Sequence, residues 1–175
     1  MSKSLAEIQA IAFDVDGVLT DGSILWGPSG EEWKRFHFAD IMGVSLARRA
    51  GIVMALVSGE DSPLVTRYAE KMHIQHVHKG VRDKAAALRE FSAAANVPLL
   101  NVCFMGDDIN DLPAMTIAGL AAAPSNACAD VLSHLAATSG FLCTHTGGNG
   151  AVRELIEALL AARNLNPLDL FQNVR

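Results

Sequence analysis

No stretch of this chain has the length of a membrane span. Its apolar runs are interrupted well short of the roughly 20 residues that a bilayer core demands. The three cysteines, Cys103, Cys128 and Cys143, form no C-x-x-C pair. Neither a structural zinc nor a disulfide framework is expected, and the thiols read as buried and free. No long basic run occurs and the formal net charge is −5, so nucleic acid is not an expected partner. The opening MSKSLAEIQA holds no apolar signal region, which points to a cytoplasmic protein. Repeats and low-complexity tracts are missing too. What is there is a chain of 175 residues, half of them hydrophobic and 19% charged. That suits one packed domain over residues 1–175.

Short β-like runs alternate with helical patterns. Ile11 to Asp14 reads as a strand. Residues 22–38 read as a projecting hairpin, SILW and EWKRFHF around the turn GPSG. A helix is expected over Ile41 to Ala50, capped by Asp40 and stopped by Gly51. IVMALVSG is a buried strand. Ser62-Pro63 opens a helix whose apolar stripe is Val65, Tyr68, Ala69 and Met72. A short strand follows near Gln75 to His78, and Asp83 begins the next helix. NVCFMG and GLAAAP are two further strands, with Ser125 as the expected cap after the second. GAVRELIEALLAARN is the last helix, and GGNG at 147–150 suits a close-approach turn before it. Such alternation predicts an α/β fold: one Rossmann-like domain with a mainly parallel sheet flanked by helices.

Ligands of such sheets gather at the C-terminal strand ends. Three of these ends are polar: DVDG, SGED and GDDIND. One aspartate there would be an ordinary polar turn. Asp14 and Asp16, two apart after a buried strand, are harder to dismiss. An EF-hand calcium loop does not fit, because Gly17 is misplaced and a strand precedes in place of a helix. GDDIND adds Asp107, Asp108 and Asp111, of which Asp111 suits a cap for the helix at Leu112-Pro113. If these acidic ends meet, a hard divalent cation is their natural partner, and few carboxylates with backbone oxygen suit Mg²⁺. Ser58 ends a strand, where its hydroxyl and the amides of Gly59 and Glu60 suit phosphate oxygens. Lys84 begins a helix, where the dipole disfavours a cation. Lys79 competes for the same role. His73, His76 and His78 are spaced only loosely for metal and read better as surface or edge positions.

Taken together, DVDGVLT, Ser58, Lys84 in GVRDK and GDDIND resemble the four motifs of the haloacid dehalogenase-like phosphohydrolase superfamily. The resemblance implies that Asp14 attacks phosphorus and that Asp16 protonates the leaving sugar oxygen and then activates water. It also implies that Asp14, the Asp16 carbonyl and Asp107 hold Mg²⁺, while Ser58 and Lys84 meet the phosphoryl charge. Asp108 and Asp111 would be supporting acids. TDG after the first motif, the hairpin and GGNGAVRE resemble the 3-deoxy-D-manno-octulosonate 8-phosphate phosphatases. That implies a chain with no cap domain, and a homotetramer in which a neighbour's hairpin and C-terminal tail, residues 165–175, close the site over a phosphorylated sugar acid. One departure stands out: Glu60 occupies a position where that family commonly has Arg. There, and at Lys71, the chain resembles phosphatases of nine-carbon 2-keto-3-deoxy-nonulosonate 9-phosphates, so Glu60 and Lys71 are candidate substrate contacts. A receiver-like phospho-acceptor is the alternative of another class, and Asp16 and the late GDDIND argue against it.

Overall fold

In the computed structural model, which describes residues 4–172, strand β1 (Ala10–Phe13) is buried along its whole length. It runs parallel to β4 (Val53–Val57) on one side and to β6 (Val102–Met105) on the other. With β5 (His76–His78), β7 (Leu120–Ala123) and β8 (Phe141–Leu142), these strands form a sheet in the order β5-β4-β1-β6-β7-β8. Every pairing in it is parallel. The chain builds outward from β1 to β4 and β5, then returns to the other side of β1 through β6. The reversal of direction leaves a crevice at the C-terminal ends of β1 and β6.

Strand periodicity divides the core in two. Ile11, Phe13, Met54, Leu56, Cys103 and Met105 face one side, packed by α1 (Phe38–Arg49), α2 (Pro63–Met72) and α6 (Ala151–Ala162). Ala10, Ala12, Ala55, Val57, Val102 and Phe104 face the other, covered by α3 (Lys84–Ala94), α4 (Leu112–Ile117) and α5 (Ala129–Thr138). Both faces of a parallel sheet are thereby sealed, and its strands read as continuous apolar runs.

Several local expectations change. The hairpin is shorter than its sequence suggests. Only β2 (Leu25–Trp26) and β3 (Glu32–Trp33) pair, antiparallel. Beyond Trp33 the chain leaves the ladder, and Phe36 stacks on Tyr68 with ring centroids 4.3 Å apart. Helix α1 starts at Phe38, with His37 at the N-cap position, so Asp40 does not cap it. The buried Asp40 carboxylate instead accepts from the amides of Gly150 (3.1 Å) and Arg153 (2.9 Å), capping α6 from across the fold. Ser125 does not cap α5; Cys128 holds that position. Strand β8 and a final helix, α7 (Pro167–Gln172), have no counterpart in the sequence reading. The tail through Gln172 lies on its own α1, where Arg49 donates to the carbonyls of Leu170 and Phe171. Residues 173–175 of the expected tail, and residues 1–3, lie outside the described residues. All three cysteines are free, Cys103 and Cys143 buried and Cys128 half-buried.

Candidate active site

Strand β1 ends one residue before Asp14, whose amide donates to the Met105 carbonyl of β6 (2.9 Å). That bond fixes the carboxylate at the mouth of the crevice, where it is buried. After β5, Asp83 caps α3 by accepting from the Ala86 amide (2.9 Å), which makes Lys84 the first helical residue. Its ammonium lies 2.7 Å from Asp14 Oδ1 and 2.6 Å from Asp111 Oδ1, with the side chain almost wholly enclosed. Lys79 is elsewhere, paired with Asp61 at 2.7 Å.

Asp111 is not the cap of α4 that its position suggests. Its second oxygen turns back to accept from the amides of Asp107 (2.9 Å) and Asp108 (3.2 Å), bracing the loop after β6. Asp108 is exposed and caps the short turn that follows, accepting from the Ile109 amide (2.7 Å). Asp107 is the unfinished member: among the described residues its buried Oδ1 has no hydrogen-bond partner. Gly17 makes room for it. A Cβ there would stand 2.0 Å from Asp107 Oδ2, and the backbone at φ +97° suits glycine. Gly147 in turn abuts the Gly17 carbonyl, where a Cβ would clash at 1.7 Å; this is the close approach expected of GGNG.

Asp14, Asp107 and Asp111 offer oxygens that all lie within 4.8 Å of one another. Three carboxylates thus face one ammonium. Burial, then the charge of Asp111, push Asp14 up to about 8 against the pull of Lys84. Burial, Asp111 and Asp108 push Asp107 up to about 6. Burial disfavours the charge on Lys84, but Asp14 and Asp111 outweigh it and raise its pKa. The cluster is short of positive charge, and Asp107 has an unpartnered oxygen aimed into it. Those two features fit a hard divalent cation held by carboxylate oxygens.

Beside this cluster lies a second one. Ser58, one residue past β4, is fully buried, and its Oγ accepts from the Glu60 amide (3.1 Å). Gly59 and Glu60 are exposed. The Asp16 carboxylate meets Lys34 Nζ at 2.5 Å, and the same ammonium reaches Glu60 at 3.0 Å and Glu32 at 3.6 Å. Sequence reasoning missed Lys34. Its single signal is the alternation that turns it away from Trp33, and nothing local marks its target. Lys71 is not brought to Asp14. It sits on the last turn of α2, 5.9 Å above the Phe38 ring, in a groove that Lys34, Phe36, Arg67 and Tyr68 also line.

A family model described as haloacid dehalogenase-like hydrolase matches residues 59–144. The 3-deoxy-D-manno-octulosonate 8-phosphate phosphatase of Haemophilus influenzae is 35% identical over 163 residues, covering 93% of this chain and 88% of that protein. The chain belongs to the haloacid dehalogenase-like hydrolases. It groups with their phosphatases: the Escherichia coli K12 enzyme of the same name is 35% identical over 156 residues, 89% of this chain and 81% of that one. Solved structures agree with this hydrolase over nearly its whole length. The Moraxella catarrhalis phosphatase, in complex with magnesium, phosphate and KDO, superposes with a TM-score of 0.87 at 36% identity, covering 96% of this chain and 93% of that one. A hydrolase of the superfamily from Legionella pneumophila gives 0.91 at 33% identity, over 97% and 92%. The cobalt-bound Haemophilus influenzae enzyme gives 0.89 at 30%, over 98% and 100%.

Proposed function

We propose that this phosphatase hydrolyses a phosphorylated 2-keto-3-deoxy sugar acid, 3-deoxy-D-manno-octulosonate 8-phosphate first among them, with Mg²⁺ as its metal. The observation that carries the reading is the cluster of buried Asp14 and Asp111 on Lys84 with half-buried Asp107 beside them, one oxygen of Asp107 being unpartnered among the described residues. Asp14, the backbone carbonyl of Asp16 and Asp107 would hold Mg²⁺, which when bound offsets charge on the phosphoryl group and favours ionised Asp14.

The chain's own residues divide the work as follows. Lys84 fixes one oxygen of Asp14, and Asp111 fixes Lys84. The other Asp14 oxygen attacks phosphorus; an aspartyl-phosphate forms as the bond to the sugar oxygen breaks. Asp16 gives that oxygen its proton. Asp16 then takes a proton from water, which attacks phosphorus and releases inorganic phosphate from Asp14. Ser58 and the amides of Gly59 and Glu60 accommodate the phosphoryl oxygens.

Glu60 favours a second substrate, the nine-carbon 2-keto-3-deoxy-nonulosonate 9-phosphate. It is acidic where the eight-carbon enzymes commonly carry Arg, and it sits on the phosphate side of the site. Competition between the two sugar acid phosphates, read as the ratio of kcat/KM, decides between them. Hydrolysis of neither, with a long-lived phosphoprotein in its place, would revive the receiver-like alternative.

The proposal extends to assembly. Ile24, Leu25, Trp26, Trp33 and Phe38 are exposed on and beside the hairpin, an apolar surface suited to a second copy of the chain. The tail through Gln172 is engaged on its own α1, which leaves the hairpin as the element to close a neighbour's site in a homotetramer. Among the described residues no helix is long and apolar enough to cross a membrane, and the three free thiols suit a cytoplasmic location.

A further inference from the structure

Among the described residues, the hydrogen bond that the Asp16 carboxylate makes is with Lys34, through Oδ1 alone. Lys34 belongs to the hairpin arm, 18 residues later in the chain, and its side chain is 1% exposed although the arm around it is open. An enclosed lysine needs a reason. Holding the arm in place is one, shared with the exposed Arg35–Asp21 pair at 2.7 Å. The lysine also bridges: its ammonium spans Asp16 and Glu60, which belong to two different strand ends.

We propose that Lys34 is a positioning residue for leaving-group protonation, and that Glu60 acts on the reaction through it. This rests on the reading of Asp16 as proton donor. A short carboxylate at a loop has two χ angles to lose, and a proton transfer requires one oxygen to meet the bridging oxygen as the phosphorus–oxygen bond breaks. Lys34 holds Oδ1 as an acceptor and leaves Oδ2 to carry the proton that passes to the bridging oxygen, after which the ammonium faces the ionised carboxylate. Glu60, 3.0 Å from the same ammonium, holds Lys34 from the other side. The glutamate is therefore not a free selector of substrate hydroxyls: replacing it also loosens the proton donor.

Two aryl esters that differ by a para-nitro group separate this role from a structural one. Phenyl phosphate releases a phenolate that gains from protonation, whereas p-nitrophenyl phosphate releases a stabilised phenolate that does not. The value of kcat/KM reports the step in which that bond breaks. With Mg²⁺, Lys34→Met should lower kcat/KM on phenyl phosphate roughly 10- to 100-fold and on p-nitrophenyl phosphate less than about threefold. Lys34→Arg should restore most of the phenyl ester rate, since it keeps the charge and the reach. Equal losses on the two esters, or none on phenyl phosphate, overturn the proposal. If Lys34→Met does not fold by thermal melting, Glu60→Gln decides. It should reproduce the ester-selective loss at smaller size, and a uniform loss overturns the proposal as well. A wild-type protein inert on both esters defeats the phosphatase reading and this inference with it. An active wild type whose Lys34 variants are blind to the ester defeats this inference alone.

Discussion

The ends of β1 and β6 and the hairpin arm meet at one site but are built differently. At the strand ends, Asp14, Asp111 and Lys84 are buried: both carboxylates hold the Lys84 ammonium, Asp111 also accepts from two loop amides, and the Asp14 backbone amide donates to the Met105 carbonyl. The arm has a ladder of two residue pairs, and Trp26 and Phe38 on it or beside it are 75% and 78% exposed. Side-chain ion pairs, Lys34 and Arg35 to their aspartates, hold it. A single chain therefore preorganises the buried half, which on the proposed reading meets phosphorus. The arm, which on that reading serves the leaving group, depends on a few exchangeable contacts.

The sharpest way to break this contrast is at Asp14. If Asp14 is the nucleophile and Asp16 the proton donor, as proposed, Asp14→Asn should cut turnover by at least about 10⁴-fold and Asp16→Asn by roughly 10²- to 10⁴-fold. Phosphate release by Asp14→Asn near the wild-type rate would show that the buried half is not where the chemistry begins. Next is the cation. Lys84→Met removes the one ammonium facing Asp14 and Asp111 and should cost about 3–5 kcal/mol in urea unfolding without Mg²⁺. A loss below about 1 kcal/mol would mean that the cluster is softer than its burial implies.

Mg²⁺ itself sharpens the comparison through pH. Asp14 titrates near 3.8 when unfolded and about 8 in the ion-free fold. The fold binds that proton more tightly, so this contribution to stability is complete below the unfolded value and fades as pH rises toward 8. Asp107, raised to about 6, acts in the same direction over a narrower window. Mg²⁺ supplies the missing charge, so the rise in Tm that it produces should grow from pH 5 to pH 8, by several degrees for a chain of this size. A constant or shrinking increment would place the ion away from these carboxylates. Hairpin substitutions should leave the increment unchanged.

Sequence and structure agree best where one strand or one helix turn carries the signal. Apolar runs ending in DVDG, SGED and GDDIND mark the crevice because a parallel sheet brings its C-terminal ends together. Asp83 before Lys84 reads as a helix start with a cation that the dipole disfavours, and the structure pairs that cation with two carboxylates. The misreadings share one cause. Asp40 looks like the cap of the helix it precedes, yet it caps α6, 110 residues away. Asp111 looks like a cap for α4, yet its oxygens go to Lys84 and to amides behind it. Lys34 and Glu60 acquire a joint meaning only when the arm folds back across two strand ends. Strand β8, of two residues, has too little pattern to register by periodicity. Local rules name residues fit for capping or pairing; tertiary packing chooses the partner.

The mildest test acts on the arm's outer face. Trp26 and Trp33 are 75% and 56% exposed and make no aromatic contact among the described residues. Within one chain, Trp26→Ser with Trp33→Ser should therefore change intrinsic stability by no more than about 0.5 kcal/mol per site. In the proposed assembly the same apolar surface would lie between chains, and removing it should lower the mass seen by light scattering at micromolar protein. Because the arm carries Lys34, releasing it from the proposed neighbour should lower kcat/KM for the sugar acid phosphate several-fold, while the Mg²⁺-dependent rise in Tm persists. An assembly of unchanged mass would mean that the two tryptophans do not hold it together. A lost Mg²⁺ response would mean that the buried half is not complete within one chain, and the contrast between the two halves would no longer stand.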